Sequence, residues 1–143
     1  MEYVFEIPGI PVAKQRPRFS TRNGFGRSYT PDKTVNYENL VKMQYCIGDS
    51  PKFDGAVRAT VFLYFPIPKS TSKKKYAQMM SGNIRHTKKP DMDNCLKAIF
   101  DALNGIAYDD DSQIVEVIAS KWYSENPGAK VKLEDVKPVE SGL

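Results

Sequence analysis

Apolar and polar positions change period several times along the chain, and each change predicts an element. Tyr3-Val4-Phe5-Glu6-Ile7 alternates apolar and mixed positions and reads as a first strand. Pro8, Pro11 and Pro17 exclude helix and central strand from the next segment; with Gly24 and Gly26 they predict a long basic loop from Lys14 to Ser28. Thr30-Pro31 reads as an N-cap followed by proline at the first helical position. Tyr37, Leu40, Val41, Gln44 and Tyr45 continue at helical spacing, so a helix is expected over 31–48. After a turn at Pro51–Gly55, Val57, Ala59, Val61, Leu63 and Phe65 alternate as a strand that Pro66 and Pro68 end. Ser70 to Met80 reads as a short helix with a serine cap and Gly82 as its stop. Its charge order is unfavourable, because Lys73, Lys74 and Lys75 stand at the positive end of the helix dipole; an external anion such as DNA phosphate would relieve that.

Asn83 to Lys89 forms a polar, basic loop. Residues 92–104 carry the clearest helical pattern, with Met92, Leu96, Ile99, Phe100 and Leu103 in one apolar stripe and Asn104-Gly105 closing it. Ile114 to Tyr123 is almost continuously apolar and β-branched, which predicts a central strand buried on both faces. Asn126-Pro127-Gly128 turns the chain, Lys130 to Val136 alternates like an edge strand, and residues 138–143 are expected to fray. The expected architecture is α+β: a single domain over 1–143, with a mixed sheet of about four strands packed against two main helices at 31–48 and 92–104.

Composition adds limits. A chain of 143 residues, 41% hydrophobic and 27% charged, suits one soluble globular core. No apolar run approaches the roughly 20 residues that span a bilayer, and the chain opens directly on a strand pattern, so no membrane partner and a cytoplasmic location are expected. Cys46 and Cys95 are far apart, with no Cys or His at metal-ligand spacing, and are expected to be reduced, buried thiols. The net charge of +4 says little beside its distribution. Residues 14–33 hold Lys14, Arg16, Arg18, Arg22, Arg27 and Lys33 against Asp32 alone. Residues 69–89 hold Lys69, Lys73, Lys74, Lys75, Arg85, Lys88 and Lys89 with no acid, whereas 91–111 hold six aspartates and one base, Lys97. A polyanion-binding surface beside an acidic pocket is the layout of a metal-dependent nuclease.

The aspartates constrain that reading. Within a helix, Asp91 and Asp93 would point about 200° apart. If Asp91 lies in an extended entry, the two can converge; Pro90 pushes its predecessor Lys89 towards extended conformation, which fits such an approach. Asp93, Lys97 and Asp101 are spaced i, i+4, i+8 on the face opposite the apolar stripe, and the loop at Asp109-Asp110-Asp111 returns through Gly105 to add a further carboxylate. Three clustered carboxylates repel one another by several kcal/mol at an effective dielectric of about 20, and Lys97 alone does not offset this. A hard divalent ion with oxygen ligands would. Mg²⁺ can activate water and stabilise the leaving oxygen of a phosphodiester, with Lys97 neutralising charge or orienting the nucleophile. The bland alternative is a solvated helix face with i, i+4 ion pairs, followed by an acidic turn. An EF-hand is excluded, because Leu96 and Ile114 occupy the sixth positions where glycine is required.

Asp91-Met92-Asp93-Asn94 with Lys97, then Phe100-Asp101-Ala102-Leu103-Asn104-Gly105, then Asp110-Asp111-Ser112-Gln113-Ile114, together resemble the signature of RusA-type Holliday junction resolvases. The match is strong over 88–121, and Ile7-Pro8-Gly9-Ile10-Pro11 resembles the family's first strand and loop more loosely. The resemblance implies a homodimeric, Mg²⁺-dependent α/β endonuclease that nicks two opposed strands of a four-way DNA junction. Carried over by position, the essential aspartates would be Asp91, Asp93 and Asp111, with Lys97 as supporting base; Asp110 and Asn94 match with less defined roles. Asp109 is an extra acid beside the matched pair, and the lysine-rich 69–89 segment is longer than the compact link associated with the family.

The expected DNA-binding residues are Lys14, Arg16, Arg18, Arg22 and Arg27, interleaved with Phe19, Phe25 and Tyr29, and a second patch of Lys73, Lys74, Lys75, Arg85, Lys88 and Lys89. A solvated loop with core-packed aromatics is the alternative for the first group. His86 reads as a surface histidine sooner than a general base, and Trp122 as core or dimer interface. Two rival functions stand beside the nuclease: a non-catalytic protein for branched or single-stranded DNA, and a metal-dependent phosphotransferase on a nucleotide. The lack of a Gly-rich phosphate loop argues against the second.

Overall fold

The computed structural model describes residues 1–16, 18–20, 26–29 and 31–139, with backbone pairing alone for 18–20 and 27–29. The elements run β1 (Glu2–Pro8), β2 (Arg18–Ser20), β3 (Arg27–Tyr29), α1 (Asp32–Tyr45), β4 (Val57–Pro66), α2 (Lys73–Met80), α3 (Met92–Ala102), β5 (Ile114–Ser124) and β6 (Gly128–Asp135). Four strands make a mixed sheet in the order β1-β6-β4-β5. β1 and β4 each pair antiparallel with β6, and β4 pairs parallel with β5. The parallel pair follows from the long crossover between them, which contains α2 and α3. The expected α+β class therefore holds, with a third, short helix.

One face of the sheet carries the core. Phe5 and Ile7, the odd-numbered positions Val57 to Phe65, and Val131 and Leu133 are buried with Tyr37, Val41 and Tyr45 of α1 and Cys95, Ala98, Ile99 and Ala102 of α3. Each of these helices lays one apolar stripe on the sheet, and the two pack against each other. The opposite face stays largely open, where Arg58 pairs with Glu116 and Glu134.

That one-sided cover overturns two expectations. β5 is an edge strand instead of a central one, with Val115, Val117 and Ile118 exposed by 58, 45 and 59%. β6, which alternates like an edge strand, lies between β1 and β4. Its alternation records a single covered face: Ala129, Val131 and Leu133 are buried, while Lys130 and Lys132 point outward. In β6 the hydropathy period reflects the one covered face, not the position across the sheet.

Smaller differences have local causes. The expected loop from Lys14 to Ser28 contains the antiparallel pair β2–β3, with Arg18 opposite Tyr29; three-residue strands are too short to leave a periodic signal. Cys46 caps the end of α1 and is exposed, because α1 ends before it; Cys95 is buried, and both thiols are free. Arg22 and Phe25, the proposed Thr30 cap, and the tail from 140 onward lie outside the described residues, as do the side chains of Arg18, Phe19, Arg27 and Tyr29.

Candidate active site

Asp91 is the N-cap of α3, with extended backbone at φ −68° and ψ 145°. Its side chain makes no capping hydrogen bond, so the carboxylate is not committed to the helix end. Asp91 and Asp93 are both exposed, and Asn94, next to the buried Cys95, is half-buried. Asp91 is therefore extended at the entry to α3, the conformation its convergence with Asp93 requires.

Further along α3, Lys97 Nζ lies 3.2 Å from Asp101, the expected i, i+4 pair. Asp101 is more enclosed than a solvated helix face would make it, at 19% side-chain exposure, because Lys14 reaches it from the loop after β1 at 3.5 Å. Lys14 also forms an ion pair with Glu38 of α1. The Lys14 amide donates to the Asn94 carbonyl at 2.9 Å, and the Gln15 amide to Thr34 Oγ1 at 3.2 Å. The loop that begins the first basic patch is thus tied to both long helices. Lys14, expected on the DNA-binding surface, directs its charge to Glu38 and Asp101.

The aspartate turn is held by its neighbours. Gln113 Nε2 donates to the carbonyls of Phe53 and Gly55 at 2.9 and 3.0 Å, while its Oε1 accepts from the Asp109 amide at 2.9 Å. Asp110 caps the short 3-10 turn Asp111–Gln113, accepting from the Ser112 amide at 3.1 Å. Those bonds from Ser112 hold its carboxyl below the usual carboxylate range. Asp109 turns outward to Lys52 at 2.7 Å. Asp111 alone faces inward: burial, then the charges of Asp101 and Asp110, raise its pKa, opposed in part by Lys97. The turn thus meets α3 at Asp101 and Lys97. Asp93 stands two turns before Asp101, about 12 Å along the helix axis.

Among the described residues, no three His, Cys, Asp or Glu side chains lie close enough together to hold a metal ion. The donor set nevertheless suits Mg²⁺, which takes oxygen ligands, keeps several waters and needs only one or two carboxylates. A cleft of about 530 Å³ opens beside Asp91. Its walls are Pro11, Val12 and Pro90, and its polar groups include Lys33, Lys89 and Asn94. An apolar wall with cations at the rim suits a nucleotide whose phosphate lies towards the lysines.

The second basic patch is arranged around the end of β5. Lys73, Lys74 and Lys75 are exposed on the first turn of α2, which forms despite its charge order because Ser72 caps it, accepting from the Lys75 amide at 3.4 Å, and Tyr76 bonds to Glu125. Arg85 stacks on Trp122, 3.4 Å from the ring centroid, so Trp122 is a half-buried platform for a cation. His86 is no surface histidine. It stacks on Phe65 at 3.9 Å between centroids, and burial, then Lys121, lower its pKa. Lys88 and Lys89 are exposed immediately before Asp91. Sequence reading missed two residues here: Asp101 as the meeting point of α3 and the aspartate turn, and Lys121, which carries no motif signal.

The family model described as Endodeoxyribonuclease RusA matches residues 8–134. A protein of Bacillus subtilis (strain 168), named Uncharacterized protein YqaN, is 40% identical over 136 residues, spanning 92% of this chain and 95% of its own length.

Proposed function

Because this chain belongs to the RusA endodeoxyribonuclease family, we propose that it resolves four-way (Holliday) DNA junctions by Mg²⁺-dependent paired nicks. The observation that carries the reading is the uncapped, extended Asp91 beside exposed Asp93, set between the lysines at 88–89 and a nucleotide-sized cleft. Asp91 and Asp93 would hold the ion at the start of α3; Asp111, which meets α3 two turns further on at Asp101, would join them through bridging water or a shift of the turn that Asp110 caps. When bound, Mg²⁺ supplies an activated water and charge stabilisation at the leaving oxygen. The chain's own residues do the rest. Lys97, beside Asp101 and Asp111, neutralises negative charge where the phosphate approaches. Lys88 and Lys89 would hold the backbone on the side of the cleft, and Lys73, Lys74, Lys75 and Arg85 would extend the cationic track, with Arg16, Arg18, Arg22 and Arg27 proposed as further DNA contacts from their sequence pattern alone.

Paired nicks need two sites, and a homodimer would provide them through a two-fold axis. The free edge of β5 supports this. An edge strand with Val115, Val117 and Ile118 exposed is a template for a second copy. No helix among the described residues is long and apolar enough to cross a membrane, and a cytoplasmic site of action fits a DNA substrate.

The test is a synthetic four-way junction incubated with the protein, with Mg²⁺ or with EDTA. Symmetric nicks in Mg²⁺ alone are expected. Tight binding with no cutting in any divalent metal would favour the non-catalytic DNA-binding alternative.

A further inference from the structure

Lys121 lies on β5 opposite Leu63, which is fully buried, so its side chain leaves the strand on the core side of the sheet. An ammonium there requires acceptors. It finds two main-chain carbonyls, donating to Lys88 O at 2.8 Å and Pro90 O at 2.9 Å, and lies 5.3 Å from the Phe65 ring centroid. Neighbouring groups fasten the same segment. Arg85 Nε donates to the Lys121 carbonyl at 2.7 Å, and His86 stacks on Phe65. Residues 85–90 are therefore pinned to the end of β5, and Asp91 emerges from the last pin. Since the Asp91 side chain has no hydrogen bond to the helix end, its direction depends on that backbone.

We propose that Lys121 is a positioning residue for the aspartates at the start of α3: by holding the carbonyls of Lys88 and Pro90 it sets the aim of Asp91 and the placement of Lys88 and Lys89 around the cleft. The proposal rests on the nuclease reading above. Lys121 touches neither substrate nor metal; it acts through the backbone, as outer-shell partners of metal ligands do, whose loss lowers activity or metal affinity about 10–100-fold.

Lys121→Met keeps the aliphatic stem and removes the donor, and Lys121→Arg restores a cation able to reach two carbonyls. Both are measured against wild type for junction kcat, half-maximal Mg²⁺ concentration, junction Kd, melting temperature and amide exchange over 88–95. The Met variant is expected to lose about 10–100-fold in kcat, to need more Mg²⁺, to bind the junction as wild type does and to exchange faster at 88–95; Arg recovers most of the activity. If the Met variant does not fold, Lys121→Gln is read by the same criteria. Wild-type kcat and Mg²⁺ requirement in the folded variant would overturn the proposal, as would a loss confined to junction Kd. If wild type itself cuts nothing, the nuclease reading falls separately, and unchanged exchange at 88–95 then overturns the clamp.

Discussion

Asp110 and Asp111 are adjacent carboxylates with opposite surroundings. Asp110 accepts hydrogen bonds from its own turn and is held ionised; Asp111 is pressed against Asp101 and Asp110 and resists ionisation. For Asp111 the folded-state pKa is raised above its ordinary value of 3.8, so folding binds an extra proton there. Stability is lost as pH rises through that interval, and above it the charged side chain opposes folding. Asp111→Asn should therefore raise the melting temperature at neutral pH without metal, with the gain shrinking as pH falls to the ordinary carboxylate range. Thermal denaturation across pH checks this; a lower melting temperature at neutral pH would show that Asp111 is not under strain. The same variant should lose junction cutting, a common trade between a site's charge and its stability. At this scale the aspartates were legible, because extended entry and i, i+4 spacing are local properties. Asp101's enclosure by Lys14 and the grip of Lys121 on the Pro90 loop were not, because their partners lie 87 and 31 positions away in the chain.

Among the elements, β5 and β6 teach most. A continuous apolar run such as Ile114–Tyr123 needs cover, and the sheet gives it only β4 on one side and parts of α2 and α3. The remainder, from Val115 to Ile118, is open. Ile118→Lys should weaken self-association while leaving the monomer folded, because Ile118 is 59% exposed. Sedimentation at several concentrations reads the shift, and an unchanged molecular mass would remove β5 as the interface. For α2, Lys73, Lys74 and Lys75 oppose the helix dipole at its first turn. Replacing all three with Gln should steady the helix yet weaken junction binding. The slope of log K against log salt should fall by up to about 2.7, at about 0.9 for each phosphate no longer neutralised. An unchanged slope would take α2 off the DNA surface. The three helices and the four strands of the main sheet were legible from the sequence pattern; β2 and β3 were not, being three residues each.

Over the whole molecule, charge is segregated along the chain. The lysines of α2 and the 83–89 loop lead to the start of α3, where the aspartates begin, and the loop after β1 closes the cleft from the other flank. A polyanion would be attracted by the flanks and brought up to carboxylates that tolerate it only with a cation between them. That arrangement makes binding and cutting separable, and the separation is measurable. Single-turnover cleavage of a four-way junction in Mg²⁺ by Asp93→Asn, alongside its junction Kd, is the most direct test. Lost cleavage with wild-type or tighter binding is the predicted result; cleavage at the wild-type rate would contradict the assignment of the chemistry to the start of α3.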